Sequence, residues 1–247
     1  MAEDFGGLTQ AISQRALKVY WLIDNSGSMY GKKMATVNQA IKDCIDPMRD
    51  ANKENVEIKM LVRAVTFETT AKWHVAQETD INDFKWTDVV TGGLTATGAA
   101  LRLVAEEMRF EKMGERALPP LIILMSDGGA TDDYDGGLSA LTSHRWGRKA
   151  VRVAIAIGDD ANIGELTKFC SHPDEAPPLV AKNATDLVDY IKWASVGVSQ
   201  TVSTSVGTNA GGAASVNANA NKAFTMPPLP KKQTMIGGSD DDDDDVF

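Results

Sequence analysis

Two rhythms of hydrophobic and polar positions run along this chain. Short unbroken apolar stretches at 19–23 (Val-Tyr-Trp-Leu-Ile) and 121–125 (Leu-Ile-Ile-Leu-Met), and a nearly unbroken one at 151–157, alternate with longer segments whose apolar residues recur every three or four positions. A short apolar run rich in β-branched side chains and bounded by turn residues predicts a strand covered on both faces, as in a parallel sheet. The three-four spacing predicts amphipathic helices at 33–51, 97–112, 138–149, 163–170 and 185–198; in the first, Met34, Val37, Ala40, Ile41, Cys44, Ile45 and Met48 make one stripe. Residues 56–67 alternate through Val56, Ile58, Met60 and Val62 and then become apolar throughout, which predicts another strand. Only Glu68-Thr69 separates it from 70–75, so short a link that 70–75 reads as the antiparallel edge strand of a hairpin. Residues 76–94 read as irregular, and 179–181 as a short strand.

The order strand, helix, hairpin, helix, strand, helix, strand, helix, strand, helix predicts the α/β class: a doubly wound, mostly parallel open sheet with one antiparallel edge strand and helices on both faces. The pattern occupies residues 17–199, after a polar lead-in at 1–16. From 200 to 247 the chain is Ser, Thr, Asn, Gly and Ala, then prolines and lysines, and last Asp240 to Asp245 followed by Val246-Phe247. That segment has too few large apolar residues to build a core and reads as a flexible tail with an acidic end.

Charge narrows the function classes. The formal net charge is −9, and the segment from Gln200 onward contributes three lysines against six aspartates, leaving about −6 on the domain. Phosphate backbones need a basic face, so nucleic acid is excluded as the ligand of the folded part. The two cysteines, Cys44 and Cys170, are too few for a disulfide framework or a zinc site and read as small buried side chains. The first residues lack the basic and apolar regions of a secretory signal, and no run reaches the roughly 18 apolar residues that span a bilayer. The expected setting is the cytoplasm, with no membrane contact.

The chemistry lies where the apolar runs stop. The run at 19–23 ends in Asp24-Asn25-Ser26-Gly27-Ser28, and the run at 121–125 ends in Ser126-Asp127-Gly128-Gly129. In doubly wound sheets ligands sit beyond the carboxyl ends of the strands, the edge to which the loop Thr91-Gly92-Gly93-Leu94-Thr95-Ala96-Thr97-Gly98 also belongs. These segments offer oxygen and neither sulfur nor imidazole, which suits a hard divalent cation such as magnesium. Taken singly, the Asp24 loop could be a helix-capping turn, since Asp and Ser are favoured caps. A serine nucleophile is disfavoured, because no Gly-x-Ser-x-Gly elbow and no evident base accompany Ser26 or Ser28. His74, His144 and His172 read as ordinary surface or half-buried residues, and the five tryptophans as packing. Asp132, Asp133 and Asp135 lack the spacing of an EF-hand loop and read as an acidic rim or a helix cap.

Taken together, the Asp24 to Ser28 loop, the Gly93 to Gly98 loop and Met125-Ser126-Asp127-Gly128 resemble the metal-ion-dependent adhesion site of von Willebrand factor A domains. The likeness spans about residues 17–199. Within that family it is nearest to bacterial TerY-type proteins, on Thr131-Asp132-Asp133 after Ser-Asp-Gly and on Ala154-Ile155-Ala156-Ile157-Gly158. The resemblance implies a Rossmann-like fold in which Ser26 and Ser28 bind the metal through their hydroxyls, while Asp24 and Asp127 act directly or through water. It implies Thr95 as the loop ligand; Leu94 interrupts the commoner Gly-Gly-Thr-x-Thr-Gly, which keeps Thr97 as the alternative. The implied cofactor is Mg2+, with Mn2+ or Ca2+ as alternatives. An ion held largely by neutral hydroxyls keeps much of its charge, so the expected partner is a protein presenting an Asp or Glu.

On this likeness the chain is a non-enzymatic adaptor in a bacterial stress, tellurium-resistance or phage-defence system, with protein kinase or phosphatase partners. Two alternatives stand beside it: an adaptor of an AAA+ ATPase, and a metal-dependent hydrolase using Asp132 or Asp133 as base. The acidic end, Asp240 to Phe247, resembles the tail tip of single-stranded DNA-binding proteins. It is expected to be a solubilising end, a second partner site, or a self-ligand competing for the metal.

Overall fold

The computed structural model describes residues 14–56, 58–115, 117–159, 161–201 and 226–230. The acidic end therefore lies outside the described residues. Among those described, six strands form one sheet in the order β3-β2-β1-β4-β5-β6. The strands are β1 (Arg15–Asp24), β2 (Ile58–Phe67), β3 (Ala71–Asp80), β4 (Leu121–Ser126), β5 (Val151–Ile157) and β6 (Leu179–Ala181). β3 pairs antiparallel to β2, and every other pairing is parallel.

The apolar runs follow from coverage on both sides. Along β1, Leu17, Val19, Trp21 and Ile23 enter one core, with α1 (Lys32–Glu54) and α7 (Ala184–Lys192). Tyr20 and Leu22 enter the other, with α2 (Thr97–Ala105), α4 (Tyr134–Ser143), α5 (Arg145–Lys149) and α6 (Ile163–Phe169). β4 divides in the same way, Leu121, Ile123 and Met125 against Ile122 and Leu124. A strand buried on both faces has no polar side to show, which is why these segments read as unbroken.

β1 lies between β2 and β4, so the chain winds outward in one direction through β2 and in the other through β4. The carboxyl ends of β1 and β4 thus flank the topological switch point, where a doubly wound sheet opens a crevice. Ile23 pairs with Met125, which brings the ends of the two strands side by side.

Several boundaries differ from those the sequence predicts, each for a physical reason. β1 starts at Arg15, taking two residues of the expected lead-in. β3 runs to Asp80 rather than 75, because its second half is polar and half exposed at the sheet edge. The predicted helix at 97–112 ends at Ala105 and continues as a 3₁₀ turn, Glu106–Met108, and a single-turn α3 (Phe110–Met113). The helix predicted from 138 begins at Tyr134, through Gly136-Gly137. A Cβ on Gly137 would stand 2.5 Å from the Gly98 carbonyl oxygen, so α2 and α4 meet backbone to backbone. Close approach explains glycine where propensity opposes it. The final helix changes to a π-helix at Trp193–Val198.

Part of the expected tail is docked on the domain. Met226 is buried in the α1/α7 core, and its backbone N–H donates to Glu175 Oε2 at 2.9 Å. Trp193 Nε1 donates to the Pro228 carbonyl at 2.8 Å.

Candidate metal centre

Asp24, the last residue of β1, is fully buried. One carboxylate oxygen, Oδ1, accepts the Ser26 backbone N–H at 2.8 Å, folding the loop back on the strand. The other accepts the Ser126 hydroxyl at 2.6 Å, tying the ends of β1 and β4 together. Burial pushes Asp24 above the ordinary carboxylate range; the bonds from Ser126 and Ser26 oppose that, and the charge of Asp127 adds to it.

A 3₁₀ turn at Gly27–Met29, anchored by buried Met29, then presents Ser28 beside Ser26. The two hydroxyl oxygens are 3.0 Å apart, and Ser28 Oγ donates to Asp127 Oδ1 at 2.8 Å. Lys33, in the first turn of α1, donates to Asp127 Oδ2 at 2.7 Å. Asp24, Ser26, Ser28, Ser126, Asp127 and Lys33 are thus linked around one point at the switch crevice.

The third loop is attached through its backbone. Gly27 N donates to Gly93 O at 3.1 Å, Gly92 N to Asn25 O at 2.8 Å, and Asn25 Nδ2 to Val90 O at 2.9 Å. Gly93 has φ +75°, the left-handed region that favours glycine. Thr95 is buried and exchanges bonds with Thr131, its N–H donating to Thr131 Oγ1 at 3.2 Å and its carbonyl accepting from Thr131 N at 2.8 Å. The structure therefore joins Asp24, Ser26, Ser28 and Asp127 by side chains, and carries Thr95 to the same edge on a braced loop. Thr97, also buried, is the first residue of α2.

The donor set fits a hard cation. An octahedron of oxygens about 2.1 Å from a magnesium ion has edges of about 3.0 Å. The separations of 3.0 Å between the serine hydroxyls and 2.8 Å between Ser28 and Asp127 are edges of that size. Among the described residues no group of three or more His, Cys, Asp and Glu could hold a metal ion, so a cation at this place would need the serine hydroxyls as ligands.

Sequence reasoning assigned no role to Ser126 or Lys33. For Lys33 a signal existed: the first turn of α1 holds Lys32 and Lys33 and no acid, although a helix start disfavours cations, which points to an anion nearby. Of the aspartates beyond β4, Asp132 and Asp133 prove to be caps, while Asp135 pairs with Lys168. Asp132 accepts from Gly98 N at 2.8 Å and Ala99 N at 2.7 Å at the start of α2, while Asp133 accepts from Gly136 N at 3.0 Å at the start of α4 and pairs with Arg102. The Gly136 N–H, then Arg102, hold Asp133 below the usual carboxylate range. His74 lies away from this site, at the sheet edge against Trp86.

Residues 18–193 match the family model of the von Willebrand factor type A domain. No curated protein matches the sequence. Solved structures share the architecture. The ArnB paralog VWA2 from Sulfolobus acidocaldarius is 17% identical with a TM-score of 0.55, covering 73% of this chain and 45% of its own. A von Willebrand factor type A protein from Catenulispora acidiphila is 17% identical with a TM-score of 0.55, over 74% of this chain and 42% of its own. Proximal thread matrix protein 1 from the mussel byssus, in a structure with a zinc-occupied MIDAS motif, is 20% identical with a TM-score of 0.50, over 74% and 46%. This chain spans less than half the length of each, and identities so low carry the fold alone. No helix among the described residues is long and apolar enough to cross a membrane. With a family match over more than half its length and the sheet order described above, the chain belongs to the von Willebrand factor type A domain family.

Proposed function

We propose that this chain is a magnesium-dependent, non-enzymatic protein-binding adaptor whose metal is held by Asp24, Ser26, Ser28, Asp127 and Thr95 and captures an Asp or Glu of a partner. The observation that carries this reading is the unbroken contact from Ser26 Oγ through Ser28 Oγ to Asp127 Oδ1, at the spacing of a magnesium octahedron, on the switch point of the sheet. Manganese fits the same donors, and calcium a looser version of them. The zinc-occupied MIDAS motif of proximal thread matrix protein 1 supports a divalent cation at such a site. Absence of enzymatic activity is supported by Asp132 and Asp133: the two candidate bases are engaged as helix caps. The Thr131-Asp132-Asp133 sequence extends the proposal to a TerY-type adaptor of the bacterial cytoplasm, serving stress or tellurium resistance beside kinase or phosphatase partners.

Asp24→Ala tests the reading. Titration calorimetry with Mg2+ and Mn2+ should show binding to the wild-type chain and a loss of roughly 100-fold or more in the variant, the scale at which metal sites respond to damaged coordination. Magnesium-dependent retention of partner proteins should vanish with it. A wild-type chain that takes up neither ion, or a variant that binds as well, would sink the proposal.

A further inference from the structure

Lys33 is the feature of this site that metal binding alone does not explain. Its side chain is 15% exposed and its partner Asp127 fully buried, with Nζ 2.7 Å from Oδ2. The two oxygens of Asp127 are divided, Oδ1 toward the serine hydroxyls and Oδ2 toward the ammonium. Lys33 therefore reaches the carboxylate from the side away from the hydroxyls and need not leave when the hydroxyl side is occupied. Its placement at the start of α1, where the helix dipole disfavours a cation, means that the attraction to Asp127 outweighs that repulsion.

The charge count of the linked cluster shows what this does. Among the described contacts, Asp24 and Asp127 supply two negative charges and Lys33 one positive. A divalent cation added to the carboxylates alone gives a neutral site, whereas the same ion beside Lys33 gives a net charge of plus one. Resting on the metal-dependent reading above, we propose that Lys33 is a positioning residue that sets the charge of the site. It steadies buried Asp127 when no metal is present, weakens the grip on the metal, and leaves the loaded site positive enough to favour an anionic partner group. The trade is electrostatic: a fixed ammonium a few ångströms from a divalent ion repels it, and repels less the more solvent intervenes.

Lys33→Met keeps the length of the stem and removes the charge, and Lys33→Arg restores charge on a different head. With the full chain at low ionic strength and neutral pH, three readings decide. Titration of Mn2+ alone should show Lys33→Met binding about tenfold more tightly or better, as expected of one unit charge acting across a partly solvated gap. Thermal unfolding in chelator should show Lys33→Met melting several degrees below wild type, with Mn2+ closing the gap and Lys33→Arg close to wild type in both conditions. Acetate, followed through water-proton relaxation by the bound manganese, should associate roughly tenfold more weakly with the loaded Met variant. Unchanged or weaker Mn2+ affinity in Lys33→Met, with wild-type binding intact, overturns the role of Lys33 and leaves the metal-dependent reading standing. Absence of Mn2+ and Mg2+ binding by the wild type overturns both.

Discussion

β1 carries a buried polar cluster at each end, and the two are built differently. At its carboxyl end two carboxylates, Asp24 and Asp127, share three serine hydroxyls and one cation, Lys33. Toward its amino end Lys18 pairs with Glu78, while Arg63, in register with Tyr20, pairs with Glu107 at 2.8 Å and lies over the Trp73 ring at 3.5 Å. In that second cluster no acid lacks a base, Glu107 taking both Arg63 and Lys112, long side chains do the reaching, and an aromatic ring covers Arg63. In the first, the acids outnumber the bases and hydroxyls crowd within 3.0 Å of one another. Burial of polar groups is common to both. Excess negative charge with clustered oxygens distinguishes the end proposed to take a cation from the end that only has to be held together.

The strongest test of that division is Arg63→Met. It leaves Glu107 with Lys112 alone, on a half-exposed pair at 2.8 Å, and removes the cation from Trp73. Breaking a buried pair from one side costs about 3 to 5 kcal/mol, and the remaining lysine places the expected loss near ~3 kcal/mol in urea unfolding. Manganese affinity should not change. A parallel loss of metal binding would show that the two ends of β1 act as one network.

The same contrast governs what could be read from sequence. The central strands β1, β4 and β5 were legible because coverage on both faces makes their residues apolar almost without interruption. The outer half of β3 was not, because Gln77, Glu78 and Thr79 on an exposed edge look like a loop until pairing is known. The start of α4 was hidden by Gly136 and Gly137, whose reason is a long-range contact with Gly98. That Asp24, Ser26, Ser28 and Asp127 come together in the candidate site was legible, because each belongs to a polar segment that starts at or directly after the end of a strand. Lys33 and Ser126 act through geometry, the one across a helix start and the other across neighbouring strands, and local patterning assigned neither a partner.

A smaller effect sharpens the carboxyl-end side of the comparison. Gly93→Ala places a Cβ 2.5 Å from both Glu68 Oε2 and Thr69 Oγ1 at φ +75°, on the loop that carries Thr95. Gly114→Ala meets nearly the same φ, +77°, with nothing within 4 Å among the described residues. Both should lose about 1 to 3 kcal/mol from positive-φ backbone in a non-glycine residue. Only Gly93→Ala should also weaken manganese binding, by severalfold. Equal behaviour of the two variants in the manganese titration would detach the third loop from the site.

The smallest expected effect lies at the amino-end cluster. The Tyr20 hydroxyl is buried and finds no hydrogen-bond partner among the described residues, nor does the nearby Arg63 Nε, and burial keeps the phenol protonated well above its ordinary range. A buried donor without an acceptor costs free energy, and removing it costs nothing in lost bonds. Tyr20→Phe keeps the ring and its tilted contact with Trp73, at 6.4 Å between centroids. Unfolding in urea should therefore show a variant as stable as wild type or more stable by up to about 1 kcal/mol. A loss of that size instead would mean the hydroxyl is satisfied in solution, with a water bridging Tyr20 and Arg63 as its simplest partner. The amino-end cluster would then resemble the carboxyl end, with its proposed metal, in having a small guest. The distinction between the two ends of β1 would then rest on charge alone: a neutral guest where every acid already has a base, and the proposed cation where acids outnumber bases.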